Sequence, residues 1–442
     1  MMIQKIREIT IENVKNVEYG KISFTEKNEY LNVTGIYGQN GSGKTTLIDV
    51  LEILKNLLLG NGIGTEVAGM LGTGTVARIV IKTEVINERV NTYELRLKKE
   101  DDNKPLVTVI SENLYTKPLE KGKKEKNILQ FDRSSQAIVK STKKEAVASL
   151  EALNIINDIT AQRRTSYLFD PNFQKLVKSN KNLEEALLVL EQFKTLAGNI
   201  RMYTSEYSGL ISANIVTPVG VHYRDKAMAV DGVIPFYMQN GGFVQKQAVG
   251  IYQNVIRQMN ILLPEIIPGL KLDIFEREAR IGQNGADEVR LEFFVTRGGK
   301  RFSLVYESDG IKKIIGLLSF LVEAYNDPNI IAAIDEFDSG IFEYLLGELV
   351  DVMATGAKGQ LIFTSHNLRV LEVLPTNCVV FSTTNPENRY IRMKGVKRTN
   401  NLRDFYLRAI QLGGQSEELY VGQTTSKIRM ALIKAKAGAK LD

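Results

Sequence analysis

The chain has 442 residues, of which 43% are hydrophobic, and a formal net charge of +6. No stretch approaches the roughly 18 consecutive apolar residues of a membrane span, and the first residues lack the apolar run of a signal peptide, so we expect a soluble, cytoplasmic protein that does not enter a membrane. A single cysteine, Cys378, and only two histidines exclude a disulfide framework and a histidine-rich metal centre.

The first quarter of the chain predicts strands, a glycine-rich turn and one helix. Apolar and polar residues alternate near the N-terminus, and the uncharged run 31–37 is typical of a buried central strand. Helical spacing follows over residues 45–59, where a glycine ends it. Alternation returns over residues 76–115 and predicts an antiparallel sheet beside the turn, with a third strand at 106–110.

The middle of the chain, residues 116–250, is predicted to be a basic and largely helical insertion. Helical spacing is clear from about residue 145 to 196, whereas residues 198–250 are rich in glycine and tyrosine and show no period. Nine basic and four acidic residues lie between Lys117 and Glu145. Such a patch suits nucleic acid or an acidic protein, and a solvated lysine-rich loop explains it equally well.

The last third of the chain predicts an α/β arrangement. A nearly all-apolar helix over residues 311–325 is followed by three short apolar strands, at 330–334, 361–363 and 378–381, which suit a parallel sheet covered on both faces. We therefore expect an α/β fold with a mixed central sheet, covering helices and an antiparallel β subdomain. The predicted segments are an N-terminal lobe at 1–115, the insertion at 116–250, a C-terminal lobe at 251–400 and a basic helical tail at 401–442.

A complete phosphate-binding loop lies between the predicted central strand and the first helix. The pattern G-x-x-x-x-G-K-[ST] is matched in full. Its glycines let backbone N–H groups point at phosphate oxygens, and the helix N-terminus adds its positive dipole end. Lys44 is expected to reach the β- and γ-phosphates and Thr45 to bind Mg²⁺. The residues predicted to bind ATP are Gly38, Asn40, Gly41, Ser42, Gly43, Lys44, Thr45 and Thr46.

Two adjacent acids, Asp335 and Glu336, follow an apolar strand. In this architecture a carboxylate at the C-terminal end of a central strand lies beside the phosphate-binding loop. We expect Asp335 to hold the Mg²⁺ shell and Glu336 to orient the attacking water. An ordinary solvent-facing strand end explains the acids alone, but together with the loop they favour hydrolysis.

Two further segments are predicted to contact the γ-phosphate. His366 follows the apolar run LIFT and is expected to bond the terminal phosphate and to report its hydrolysis. Ser308, Asp309 and Gly310 precede the buried helix, where free backbone N–H groups form an anion site. A plain helix cap at Ser308 needs the same residues, so the sequence leaves both explanations open.

The order of these motifs resembles that of ABC-type ATPases, specifically the RecF, SMC and RecN branch with its compact relatives in bacterial anti-phage systems, such as AbiL-like proteins and OLD-like proteins without the nuclease domain. The loop form GQNGSGKTT, the segment ESDG, the DE pair, the later histidine and the opening IREITIENVKNVEYGKISF carry the resemblance. It implies that Ser308 and Gly310 contact the γ-phosphate held by a second subunit, so that ATP joins two copies. It also implies that a basic residue, Lys15, lies near the nucleotide.

Three positions qualify the resemblance. The segment 308–310 reads Ser-Asp-Gly where Ser-Gly-Gly is commoner in the family, and Phe342 stands where many compact relatives carry a histidine. The glutamine that contacts the nucleotide in the family has one candidate here, Gln162.

Three functions are compatible with these residues. The first is a defence ATPase: a homodimer or larger homo-oligomer that recognises a phage protein and controls a separate toxic effector, since we expect too few residues after His366 for an appended nuclease. The second is a RecF-like DNA-repair ATPase that binds DNA through the basic patch and tail, with an affinity that falls steeply with salt. The third is a nucleotide-binding protein without turnover, against which Glu336 argues.

Overall fold

A computed structural model defines the fold of residues 2–27, 29–101, 106–134, 140–141, 149–224, 229–283, 285–396, 401–420, 422 and 425–438. The strands in this part of the chain are β1 (Gln4–Val14), β2 (Val17–Ser23), β3 (Thr25–Glu26), β4 (Glu29–Tyr30), β5 (Val33–Tyr37), β6 (Val76–Val85), β7 (Arg89–Lys99), β8 (Val107–Pro118), β9 (Lys126–Asp132), β10 (Lys140–Ser141), β11 (Ile200–Tyr203), β12 (Val216–Arg224), β13 (Ala229–Tyr237), β14 (Gly242–Gln245), β15 (Lys271–Ile281), β16 (Asp287–Arg297), β17 (Lys300–Ser303), β18 (Ile331–Ile334), β19 (Gln360–Ser365), β20 (Val379–Ser382) and β21 (Tyr390–Ile391). The helices are α1 (Lys44–Leu58), α2 (Leu150–Arg163), α3 (Pro171–Ser179), α4 (Glu184–Gly198), α5 (Ser205–Ser212), α6 (Val249–Ile266), α7 (Asp309–Asn326), α8 (Glu343–Gly356), α9 (Val370–Val373), α10 (Leu402–Leu412) and α11 (Thr425–Gly438).

Six strands form the central sheet, in the order β11-β18-β19-β5-β20-β21. The first five are parallel to one another, and β21 adds antiparallel to β20. Every residue of β5, β18, β19 and β20 is buried, and helices α1, α7 and α8 pack on these strands. This burial explains their largely apolar sequences. Because β5, β18 and β19 run in the same direction, the residues that follow them meet at one edge of the sheet.

A second sheet of seven strands, in the order β10-β9-β8-β7-β6-β1-β2, is antiparallel throughout. With the central sheet it confirms the predicted α/β class and the antiparallel subdomain. The strand predicted at 106–110 corresponds to β8, which is longer than expected (Val107–Pro118). Strands β9 and β10 extend the sheet further. The antiparallel sheet therefore extends beyond residue 115, the predicted end of the N-terminal lobe. The sequence did not predict β9 because an exposed, lysine-rich turn precedes it.

The segment 116–250 differs from the predicted helical insertion. Helices α2, α3 and α4 match the predicted spacing, but β11 belongs to the central sheet, where it pairs in parallel with β18. Its four residues are all buried and are too few to show a period. Strands β12 and β13 form a hairpin that packs against α7. The middle of the chain thus contributes both to the central sheet and to its cover.

The C-terminal segment contains two helices of different character. Helix α10 packs on the core through Leu402, Tyr406 and Ala409, whereas α11 is exposed over residues 425–435. Among the described helices, none combines the length and the apolar content that crossing a bilayer requires. Cys378 is buried beside β20, in agreement with its apolar sequence context.

Candidate functional site

The predicted phosphate-binding loop joins the end of β5 to the start of α1. Gly43 precedes the helix with a φ of 85°, and Gly41 has a φ of 77°, a region that residues with a Cβ rarely adopt. Gly38 has no room for a side chain, because a Cβ there would lie 2.0 Å from the Ser382 hydroxyl. Asn40 is exposed at the tip of the loop. The glycines therefore permit a tight turn directly before a helix N-terminus, where anions bind favourably.

Three residues that the sequence did not single out hold this loop in place. The side chain of Asn16 donates to the Gly41 carbonyl. Ser382 shares a hydrogen bond of 2.5 Å with the Ser42 hydroxyl, and the Tyr390 hydroxyl donates to a loop carbonyl at 2.6 Å. No local pattern marks these residues, since they are distant from the loop in sequence. Ser382 on β20 and Tyr390 on β21 reach the loop only because these strands lie beside β5 in the sheet.

The ammonium group of Lys44 is folded back onto its own loop. It donates to the carbonyls of Gly38 and Gln39, both at 2.9 Å. The nearby residues Ser42 and Thr46 are buried. Burial lowers the pKa of Lys44 to about 8, and the carboxylates at the end of β18 oppose this shift. A phosphate bound in the loop would meet a cation that is already partly desolvated.

Asp335 and Thr45 bring two oxygen ligands together. Asp335 directly follows β18 and is 2% exposed, and the Thr45 hydroxyl donates to its Oδ1 at 3.2 Å. Thr364 on β19 donates to the same oxygen at 2.6 Å and so orients the carboxylate. A carboxylate and a hydroxyl suit Mg²⁺, which prefers oxygen ligands, so these residues fit the ion. Over the described ranges, no group of three or more His, Cys, Asp or Glu side chains forms a separate metal cluster.

Glu336 extends into solvent from an unusual backbone conformation. Its φ of 48° lies in the left-handed region, which costs free energy for any residue other than glycine. Its N–H donates to the Thr364 hydroxyl at 2.7 Å, and its carbonyl accepts from the Lys313 ammonium at 2.5 Å. Backbone contacts therefore orient Glu336 while its carboxylate stays accessible to water.

His366 directly follows β19 and lies close to the acid pair. Its backbone N–H donates to Asp338 Oδ2 at 3.0 Å. Partial burial and then the charge of Lys44 lower the pKa of His366, whereas Asp338 and the acid pair oppose this shift. The ring is therefore mainly neutral at pH 7 and lies within electrostatic range of Lys44. The sequence did not assign Asp338 to the site, although it lies two residues after Glu336.

Ser308 and Gly310 lie at the start of α7. The Ser308 hydroxyl accepts from the Ile311 N–H at 3.3 Å, which makes it the N-cap, and the residue itself is exposed. Gly310 packs closely on the loop after the acid pair, since a Cβ there would lie 1.9 Å from the Gly340 carbonyl. The cap that the sequence allowed is therefore present. The start of the helix is also exposed, so it is open to an anion, and the anion site itself remains a prediction.

Lys15 lies in the tight turn between β1 and β2, which contacts the phosphate-binding loop through its neighbour Asn16. The Lys15 ammonium pairs with Asp49 of α1 at 2.5 Å. Burial raises the pKa of Asp49, and Lys15 opposes this shift. The role that the resemblance implies for Lys15 stays a prediction, as does that of Gln162, which is exposed on α2.

Some basic side chains of the predicted patch are exposed, and others have partners within the protein. Lysines in the turn before β9 are exposed, but Lys126 pairs with Glu185 at 2.5 Å. The guanidinium of Arg133 donates to backbone carbonyls at 2.7 and 2.8 Å. Lys143, Lys144 and Glu145 lie outside the described residues, as does Lys440 of the tail. Helix α11 exposes the basic residues Lys427, Arg429 and Lys434.

The loop after β5 and the acid pair after β18 define the class of the protein as a P-loop ATPase. A family model described as "AAA domain, putative AbiEii toxin, Type IV TA system" matches residues 33–372. The chain belongs to this family. The match confirms the predicted resemblance to ABC-type ATPases of the RecF and SMC class that are related to defence systems.

Several solved structures are similar to this chain. The SMC head bound to the C-winged helix domain of ScpA shares 12% identity with a TM-score of 0.41, over 87% of this chain and 97% of that one. An Smc head domain with an extended coiled coil, bound to the C-terminal domain of ScpA from Pyrococcus furiosus, shares 11% identity with a TM-score of 0.39, over 88% and 96%. The SMC head domain from Thermotoga maritima shares 14% identity with a TM-score of 0.35, over 88% and 99%. No curated protein matches the chain.

Proposed function

We propose that the chain binds and hydrolyses ATP and changes its assembly state with the bound nucleotide. One observation carries this proposal: the Lys44 ammonium, the Thr45–Asp335 oxygen pair and the exposed Glu336 carboxylate meet at one edge of the central sheet. A nucleotide whose phosphates lie on the loop would have its γ-phosphate beside all of them. Phosphate release from ATP by the purified protein, measured with and without Mg²⁺, tests the proposal.

Each group has its own task in this proposal. Lys44 and the loop N–H groups hold the β- and γ-phosphates. Thr45 and Asp335 would hold Mg²⁺, which when bound neutralises phosphate charge. Glu336 orients the attacking water and accepts its proton. The neutral ring of His366 donates a hydrogen bond to the γ-phosphate and so distinguishes ATP from ADP.

The start of α7 is proposed to bind the γ-phosphate of a nucleotide held by a second copy of the chain. Large exposed aromatic side chains lie close in sequence to this helix start and to Gly340, which packs on it: Tyr306 is 81% exposed, Phe342 69% and Tyr344 54%. Aromatic residues are enriched in protein interfaces, because they bury a large area at low entropic cost. A second copy that covered Ser308 and Gly310 would bury these rings as well. ATP would then join the two copies, and hydrolysis would separate them.

Substitution of Ser308 distinguishes this anion site from a plain helix cap. Asp and Asn both cap helices well, but only Asp carries a charge that repels phosphate. We expect Ser308→Asn to keep ATP-dependent self-association and Ser308→Asp to weaken it by at least about tenfold, since like charges at an interface cost several kcal/mol. Light scattering with a non-hydrolysable ATP analogue measures the association. Equal association of the two variants would leave Ser308 as a cap only.

We further propose that this ATPase is the sensor or scaffold of an anti-phage defence system and controls a separate toxic effector. Membership of a family described by a type IV toxin–antitoxin system supports this role. Expression with the product of the adjacent gene is expected to give a complex and to protect cells from phage, and Lys44→Ala is expected to abolish the protection. A protein without a partner and without a phage phenotype, which binds DNA at low salt when loaded with ATP, would instead support RecF-like repair.

A further inference from the structure

A buried lysine connects helix α7 to the loop that carries Glu336. Lys313 lies in the second turn of the helix and is 3% exposed. Its ammonium donates to the Glu336 carbonyl at 2.5 Å and to the Ser339 carbonyl at 3.1 Å. Both acceptors are backbone groups, so this lysine holds the shape of the loop itself.

Burial of an ammonium ion costs free energy unless the charge is paired or hydrogen-bonded, so packing alone does not explain a buried lysine at this position. Burial lowers the pKa of Lys313 to about 8, and the carboxylates of the loop oppose the shift by attraction. The adjacent Lys312 is similarly buried, at 2% exposed, but its ammonium donates to Asn214 Oδ1 at 2.6 Å and pairs with Asp309 Oδ1 at 3.5 Å. Helix α7 thus carries two neighbouring buried lysines, and these two hydrogen-bond to different parts of the protein.

The conformation of Glu336 depends on contacts of this kind. A left-handed backbone persists at a residue other than glycine only where the surroundings enforce it. On one side of the residue, the Thr364 hydroxyl accepts the Glu336 N–H. On the other side, Lys313 and the Ser339 N–H, the latter at 3.0 Å, both bind the Glu336 carbonyl. Loss of Lys313 would leave the carbonyl side with a contact inside the loop alone.

The same loop also touches the first turn of α7. Gly310 packs against the backbone of Gly340 so closely that no side chain fits between them. Ser308 and Lys313 are five residues apart, which corresponds to about 7.5 Å along a helix axis. Since closely packed backbones transmit displacement, a shift of the helix start on binding a phosphate would move the loop and Glu336 with it.

We propose that Lys313 is a positioning residue for ATP hydrolysis, which aligns Glu336 according to whether the start of α7 holds the γ-phosphate of a second copy's nucleotide. The inference rests on the function proposed above.

Substitution of Lys313 tests the proposal in the full-length protein. Lys313→Met removes the ammonium but keeps a long side chain, and we expect kcat to fall roughly 10- to 100-fold, the scale of a small misplacement of a catalytic group. KM and the affinity for a non-hydrolysable ATP analogue should change less than about threefold, because the phosphate-binding loop is intact. Lys5→Met is the matched control and should retain kcat, because Lys5 is also a buried lysine, at 7% exposed, and its ammonium donates to the Lys358 carbonyl at 2.6 Å, outside the site. Lys313→Arg, which can donate to both carbonyls, should restore much of the rate.

A double-mutant cycle separates positioning from packing. In a Glu336→Gln background, Lys313→Met should lower the residual rate little further, because the group that it positions is already absent. A packing role would lower the rate by the same factor in both backgrounds and would overturn the proposal. Should Lys313→Met fail to fold in a thermal melt, Lys313→Gln, which keeps one donor group, carries the same comparison.

The outcomes also separate this inference from the function on which it rests. A wild-type protein that releases no phosphate from ATP would remove the proposed function itself. Wild-type activity together with equal kcat values for Lys313→Met and Lys5→Met would remove only the role of Lys313.

Discussion

Replacement of Glu336 by Gln is expected to lower kcat by at least about 100-fold, the contribution typical of a positioned general base. The amide cannot accept a proton from water, but it keeps the size of the side chain and the backbone contacts at Thr364 and Lys313. ATP should still bind and should accumulate unhydrolysed. If hydrolysis separates the two copies, the variant should remain as ATP-bound dimers or larger assemblies on a sizing column.

An exposed acid outside the site and outside the proposed contact between copies provides the control for this experiment. Glu191 is exposed on α4, and Glu191→Gln should change neither the rate nor the assembly state. An ATPase rate of Glu336→Gln equal to that of the wild type would remove Glu336 from its proposed role. Loss of hydrolysis without trapped assemblies would keep the catalytic role and reject hydrolysis as the step that releases the second copy.

Loss of the Lys44 side chain is expected to weaken ATP binding by a factor on the order of 100, since charge-assisted hydrogen bonds contribute about 1.5–3 kcal/mol. In Lys44→Ala the loop loses the cation that interacts with the β- and γ-phosphates, and no other lysine replaces it in the described part of the loop. Titration calorimetry with ATP and with ADP measures the change. The loss should be larger for ATP, whose γ-phosphate also meets this cation.

The fold of the variant can be checked independently of its affinity. The Lys44 ammonium contacts two loop carbonyls, so the substitution perturbs the loop but not the core of either sheet. Lys178→Ala, an exposed change on α3, is the control and should bind ATP as the wild type does. Tight ATP binding by Lys44→Ala would contradict the assignment of the loop.

The sequence predicted best those parts of the site that are carried by local patterns. The phosphate-binding loop, the acid pair after β18 and His366 after β19 each follow a short apolar strand, and parallel strands place such ends together. The α/β class was predictable for the same reason, because buried strands read as apolar runs. The roles assigned to these residues stay predictions until the substitutions are made.

Other parts of the fold depend on contacts that no local pattern reveals. Strand β11 has four residues and pairs with β18, which lies far along the chain, so its place in the central sheet was hidden. Ser382 and Tyr390 hold the phosphate-binding loop only because β20 and β21 lie beside β5. The sequence around Lys313 predicted a buried helix. The contact between the Lys313 ammonium and the Glu336 carbonyl could not be predicted, because tertiary structure alone brings them together.

The left-handed backbone at Glu336 sets folding stability against activity at this one position. Both Glu336→Gly and Glu336→Ala remove the carboxylate, and both should be inactive. Alanine keeps the Cβ that disfavours a φ of 48°, at a cost of about 1 kcal/mol, whereas glycine adopts this conformation freely. The glycine variant should therefore unfold at a higher urea concentration than the alanine variant. Glycine after Asp335 would give the more stable fold. A glutamate at this position therefore lowers the free energy of unfolding and supplies the carboxylate that the proposed hydrolysis requires.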